Sequence, residues 1–166
     1  MTNPAEPTAL VELLVDDPRW DAVDLQTLAE RAARATLREL DVTGAYEISV
    51  LACDDARIAA LNGQFRAKPT PTNVLSWPAG DLAPAQPGAL PPPPQGCELG
   101  DIALAFDTVT AEAQTEGLSL SHHILHLLVH GTLHLLGFDH ETDADAHVME
   151  GIEVAALARL GVPDPY

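Results

Sequence analysis

Residues 121–140 read S-H-H-I-L-H-L-L-V-H-G-T-L-H-L-L-G-F-D-H. Apolar residues fill the spaces between histidines, and nothing breaks the run before Gly137, so the stretch reads as a long buried helix. His122, His126, His130 and His134 are each four residues apart. At 3.6 residues per turn, each step of four turns the side chain by about 40°, giving a slowly drifting stripe. Gly137 stops the helix, the chain reverses, and His140 folds back toward the last turn. His130, His134 and His140 are therefore the best metal triad. Three neutral imidazoles can hold Zn²⁺ at about 2.0–2.1 Å and leave a fourth position for water, the pattern of a catalytic zinc. Packing explains lone histidines on an apolar helix face, and that reading is given to His122, His123 and His147. His126, one turn before His130, is read as supporting the metal site from behind, as a proton shuttle, or as core.

The spacing H-G-T-L-H-L-L-G-F-D-H over 130–140 is similar to the metzincin pattern H-E-x-x-H-x-x-G-x-x-H. Both histidine spacings and the glycine are kept, but Gly131 stands where those proteases carry their general base. The scaffold looks shared and the peptide-cleaving chemistry does not. The proton acceptor is left open: a zinc-bound hydroxide can dispense with one, and His126, Asp139 and Glu141 are the nearby candidates. Asp139 is preferred as a partner orienting an imidazole from behind the metal.

Working outward, 9–15 (ALVELLV) reads as a strand that DDPRW ends. A helix follows from Leu25 to about Leu40, capped by Asp24 and burying Leu25, Leu28, Ala29, Ala32, Ala35 and Leu37. Residues 46–52 alternate as a strand. A short helix over 56–65, capped by Asp54 or Asp55, turns Ile58, Leu61 and Phe65 inward. Strands are expected at 73–77 and 98–105, a short helix capped by Asp107 and ended by Gly117, the histidine helix from Ser119 or Ser121 through Leu136, and a last helix over about 143–160. The order β-α-β-α-β-β-α-α-α predicts one α+β domain over 1–166: a small mixed sheet packed with helices, with a metal-binding cleft at the end of a central helix. Residues 1–8 read as a loose tail. Residues 79–96 hold six of the fourteen prolines and read as a Pro-rich mobile insertion loop on the surface near the site.

A length of 166 residues suits one domain. Apolar residues are 46% and aromatics only 4%, so the core must rest on Leu, Val, Ala and Ile. No apolar run is long enough to span a membrane, and the N-terminus lacks the basic start of a signal peptide. A cytoplasmic location is expected, with Cys53 and Cys97 as buried free thiols. The net charge of −17 argues against nucleic-acid binding, unless the eight basic residues are concentrated. They are: Arg31, Arg34 and Arg38 make one helical stripe, which reads as a solvated face or as a phosphate-contacting surface, and Arg57, Arg66 and Lys68 cluster farther on. Arg66, between a helix and a Pro-broken loop, is well placed to face a cleft. There a guanidinium can hold phosphoryl oxygens in a bidentate way. Lys68 can assist as a point charge, and Asn73 and Ser76 can line the strand nearest the substrate.

The stretch 130–140, with Met149 and Glu153 downstream, resembles the signature of the YbeY family of bacterial endoribonucleases. L-N-G-Q-F-R-A-K-P-T-P-T-N-V-L-S-W-P, residues 61–78, resembles that family's LNxxYRxKxxxTxVLSFP block, and L-G-D-I, residues 99–102, its conserved strand. The departures, Phe65, Trp77 and Phe138, keep aromatic character; Pro69 stands where an acid is common, and 82–95 looks like an insertion. The resemblance implies an α+β fold with the metal in a cleft and a single-strand-specific, metal-dependent endoribonuclease. It implies action on ribosomal RNA at the small subunit, in maturation and quality control, with a functional Arg at Arg66. One Zn²⁺ per chain is expected, although such sites also accept nickel or copper. No membrane association and no dinucleotide cofactor are expected. Two other readings stand beside it: a non-catalytic ribosome-associated factor with a structural zinc, and a zinc peptidase of unusual mechanism.

Overall fold

The computed structural model describes residues 8–166. The expected loose tail lies outside them except for Thr8, which begins β1. The chain runs β1 (Thr8–Val15), a 3-10 turn (Pro18–Ala22), α1 (Leu25–Glu39), β2 (Ala45–Cys53), α2 (Asp55–Arg66), β3 (Val74–Pro78), β4 (Glu98–Ala105), α3 (Phe106–Glu116), α4 (Leu120–Leu135) and α5 (Asp143–Arg159). The expected order of strands and helices holds throughout. The addition is the 3-10 turn, where Asp17 caps a segment whose Pro18 suits a helix start.

The four strands form one mixed sheet in the order β1-β2-β4-β3. β1–β2 and β2–β4 are parallel; β3 joins β4 antiparallel. α1 and α4 cover one face, and α5 packs on both of them. Their core is aliphatic, as the composition requires: Val11, Ile48, Val50, Ile102 and Leu104 from the sheet meet Leu28, Leu37, Ile124, Leu128, Leu133 and Leu157. A smaller cluster of Cys53, Ile58, Leu75, Ala103 and Ala105 lies on the other face under α2. α4 is apolar around most of its circumference, and accordingly it runs through the middle of the helical layer, against α1, α3, α5 and the sheet.

Local chemistry sets most boundaries. Asp24, Asp54, Ser119 and Thr142 each accept a backbone N–H in the first turn of their helix. Asp107 does not cap α3: it lies inside the first turn and binds Arg19 at 2.7 Å and the Asp55 N–H at 3.3 Å. Arg19 also grips Asp17 and lies over the Phe106 ring, so Asp107 joins a surface clamp between the 3-10 turn and α3. Phe65 does not turn inward. It is 59% exposed, edge-on to Trp77, because α2 covers only the narrow β3–β4 end of the sheet. Of the two cysteines, Cys53 is buried and Cys97 exposed, both free; the expectation of two buried thiols fails for Cys97, which sits just before β4 at the end of the Pro-rich loop.

Candidate metal centre

Two glycines let α4 deliver its histidines. Gly137 has φ +98°, and a Cβ there would lie 2.2 Å from the Leu82 carbonyl oxygen. The position needs left-handed backbone and close approach of the loop, and only glycine offers both. The reversal after it carries His140 back to the helix end. Gly131 is packed against the sheet: a Cβ would lie 3.1 Å from Ser76 Oγ and from Ile102 Cδ1. The place where a metzincin carries its glutamate is therefore filled by β3 and β4, which explains physically why Gly131 stands there.

His130, His134 and His140 converge. Ring centroids are 4.6 Å apart for 130–134, 5.4 Å for 130–140 and 5.2 Å for 134–140, and one ring nitrogen of each lies within 4.8 Å of the others. The outward nitrogens are already committed. His134 Nδ1 donates to the Phe138 carbonyl at 3.0 Å, and His130 Nδ1 donates to Glu153 Oε2 at 3.2 Å. A carbonyl and a carboxylate can only accept, so both Nδ1 atoms carry the proton and both Nε2 atoms carry lone pairs. Those Nε2 atoms face each other at 3.0 Å. Two lone pairs at that distance repel unless a cation lies between them, and tetrahedral zinc with bonds of about 2.0–2.1 Å would set such nitrogens about 3.3 Å apart. The donor set fits a metal ion. Burial, with the neighbouring His130 and His140, lowers the His134 pKa to about 4, which keeps the imidazole neutral and able to ligate.

Behind the triad lies a residue whose role the sequence left unread. Glu153, on α5, is fully buried. Burial pushes its pKa up, but hydrogen bonds from His126 and His130 outweigh that and hold it near 2. His126 Nε2 and the Tyr166 hydroxyl bond its Oε1, the latter at 2.8 Å. A signal was available: Glu153 is a lone acid on the α5 stripe of Met149, Ala156 and Leu157, all buried. His126 thus reaches the triad through Glu153. Among the described residues Asp139 makes no hydrogen bond to an imidazole; its carboxylate accepts the backbone N–H of His140 at 2.7 Å, and its charge acts on His134 only through space. Of the three histidines assigned to packing, His123 is buried against Glu112 at 3.1 Å, whereas His122 is half-exposed and His147 exposed.

The triad opens into a cleft of about 800 Å³. Its lining includes Arg66, Lys68, Asn73 and Ser76, the loop 80–87, and Asp139, Glu141 and Asp145. The Pro-rich segment is tied down at this point, since Gly88 N–H donates to Asp145 Oδ1 at 2.8 Å. Arg66, the last residue of α2, donates from Nη2 to the Ser76 carbonyl at 3.0 Å and makes no ion pair among the described residues, which leaves its charge for the cleft. Asn73 is occupied with Glu112. Arg31, Arg34 and Arg38 lie on the exposed face of α1, and none lines the cleft. The stripe and the site are separate because α1 buries its opposite face on α4 and α5.

Fold and site together define an α+β protein with a three-histidine, metal-competent cleft, the metal-binding geometry of a hydrolase. The chain matches the family described as Endoribonuclease YbeY over residues 14–161. It is 59% identical over 171 residues to the Endoribonuclease YbeY of Dinoroseobacter shibae, covering 99% of this chain and 94% of that one. It is 60% identical over 158 residues to the protein of that name from a Jannaschia species, covering 94% and 99%. A solution structure of a Thermotoga maritima protein shares the fold, with a TM-score of 0.55 at 20% identity over 91% of each chain. The chain belongs to the YbeY family. Among the described residues no helix is long and apolar enough to cross a membrane.

Proposed function

We infer that the protein is a metal-dependent endoribonuclease acting in ribosomal RNA maturation and ribosome quality control, with Zn²⁺ on His130, His134 and His140. The observation that carries the metal reading is the pair of imidazole lone pairs aimed at one point, both rings fixed by acceptors on the far nitrogen. When bound, the metal would supply a Lewis acid for a phosphoryl oxygen and lower the pKa of water there toward about 7.

The remaining roles fall to the chain. Arg66, anchored on the Ser76 carbonyl, holds the phosphoryl oxygens that gain charge in the transition state. Lys68 neutralises a neighbouring phosphate. Ser76, whose hydroxyl lies against Gly131 beside the helix end, donates to the same group. Asp81, Asp139, Glu141 and Asp145 line the same cleft as Arg66 and Lys68. They repel a second phosphate backbone, so the cleft selects one strand held at Arg66 and Lys68. This reconciles a net charge of −17 with an RNA substrate: attraction is local, and binding depends steeply on salt. The ribosomal small subunit presents such strands, and we assign the protein to the cytoplasm with it.

The test pairs metal content by mass spectrometry with cleavage of a ribosomal RNA fragment. Wild type should carry one zinc per chain and cleave. His134→Ala should lose both properties, and Arg66→Ala only cleavage. Zinc without cleavage would favour the non-catalytic ribosome-associated factor; absence of metal after zinc reconstitution would remove the triad reading.

A further inference from the structure

We propose that Glu153 is the positioning residue of the metal centre, held by His126 and Tyr166 so that its second oxygen fixes the tautomer and direction of His130. The proposal rests on the metal reading above.

A carboxylate with no solvent contact is expensive, and an apolar residue of similar size is often as stable or more so in such a place. Glu153 sits among Met149, Ala156 and Leu157, all buried, where stability alone would favour another aliphatic side chain. Its partners are divided unevenly. Oε1 takes both the His126 Nε2 proton and the Tyr166 hydroxyl, whereas Oε2 takes only His130 Nδ1. With Oε1 occupied twice, rotation of the carboxylate would break two hydrogen bonds, so Oε2 stays aimed at His130. A proton held on His130 Nδ1 leaves the lone pair on Nε2, the atom facing His134. The negative charge behind the ring also makes Nε2 a better donor to a cation.

The two supports also meet each other and the triad through ring contacts, although Tyr166 itself is 63% exposed. His126 stands edge-on to His130 with centroids 6.4 Å apart, and the Tyr166 ring stands edge-on to His126 at 5.9 Å. Tyr166 reaches this point because Val162 is buried after the end of α5 and its N–H returns to the Leu157 carbonyl. The histidine stripe therefore continues past the triad as an ordered chain, Tyr166 and His126 on Glu153, and Glu153 on His130.

The experiment is zinc titration of the full chain against a competing chromogenic chelator, with thermal melts of the zinc-free proteins and ¹⁵N shifts reporting the His130 tautomer. Glu153→Gln should keep its fold, lose the fixed tautomer and bind zinc roughly 10–100-fold more weakly. Tyr166→Phe and His126→Gln should each weaken binding a few-fold, and neither should add its effect in the Glu153→Gln background, since both act through that carboxylate. If Glu153→Gln does not fold, Tyr166→Phe, a change near the surface, carries the test alone through affinity and tautomer. Wild-type affinity and an unchanged His130 tautomer in Glu153→Gln, or in Tyr166→Phe where only that variant folds, would overturn the proposal and leave the metal site standing. Wild type that binds no zinc would overturn both.

Discussion

In the first half of α4, His123 and His126 bond protein carboxylates, Glu112 and Glu153. In the second half, His130 and His134 give only their Nδ1 protons to acceptors and turn their Nε2 atoms toward each other. The spacing that links His126 to His130 is the same four residues that links His130 to His134. What differs is the nitrogen each ring commits: His126 gives Nε2 to Glu153, whereas His130 gives Nδ1 to the same carboxylate and keeps Nε2 facing His134. α5 brings a buried acid beside His126, while the turn at Gly137 brings a backbone carbonyl and a third imidazole beside His134. Helical periodicity can supply candidate ligands, but the ring nitrogen that the protein has already engaged decides which of them is left to face a metal.

The comparison breaks most sharply at His134. His134→Ala should abolish stoichiometric zinc in mass spectrometry and lower RNA cleavage by roughly a thousandfold or more; His123→Ala, in the other half of the helix, should leave metal content unchanged. Arg66→Ala should retain one zinc and lower kcat by about 100–1000-fold, the loss expected for one preorganised donor at a developing oxyanion. Gly131→Glu restores the protease-like pattern and tests whether the helix end tolerates it. Ser76 Oγ and Ile102 Cδ1 lie 3.1 Å from the new Cβ, so thermal melts should show a loss of about 1–3 kcal/mol, with no cleavage of a peptide library.

Smaller effects sharpen the same contrast. His134 has its pKa lowered from 6.5 to about 4 by burial and its histidine neighbours. The unfolded chain then binds more protons than the folded one between those values, so the zinc-free protein should lose stability as pH falls from about 6.5 to about 4. Glu153, lowered from 4.5 to about 2, extends the loss over that lower window. Denaturant melts against pH should show both steps, and His134→Ala should remove the first. Least affected should be a variant with Arg31, Arg34 and Arg38 all changed to Ala. None of them lines the cleft, so cleavage should stay within about twofold while weak, salt-sensitive RNA association declines.

Much of the fold was legible because its signals are local. The caps at Asp24, Asp54 and Ser119, the glycines at 117 and 137, and the apolar faces of α1 and α4 act within a few residues of themselves. The errors share a different character. Asp107 looks like a cap until Arg19, 88 residues away in sequence, takes its carboxylate. Phe65 has the right periodicity to face inward but meets the uncovered end of α2. Asp139 has the right chemistry to orient an imidazole, yet the amide of the next residue claims it.

The sequence by itself determined the three-histidine cluster, the class of fold and the family, because His130, His134, Gly137 and His140 lie within one helix end and its turn, where spacing dictates geometry. Only the tertiary structure decided what stands behind and across from them. Glu153, Tyr166, Arg66 and the loop 80–87 come from α5, the segment after it, α2 and the connection to β4. Their approach to the triad depends on how helices pack on the sheet, and interactions between residues distant in the chain leave no periodic mark in the sequence.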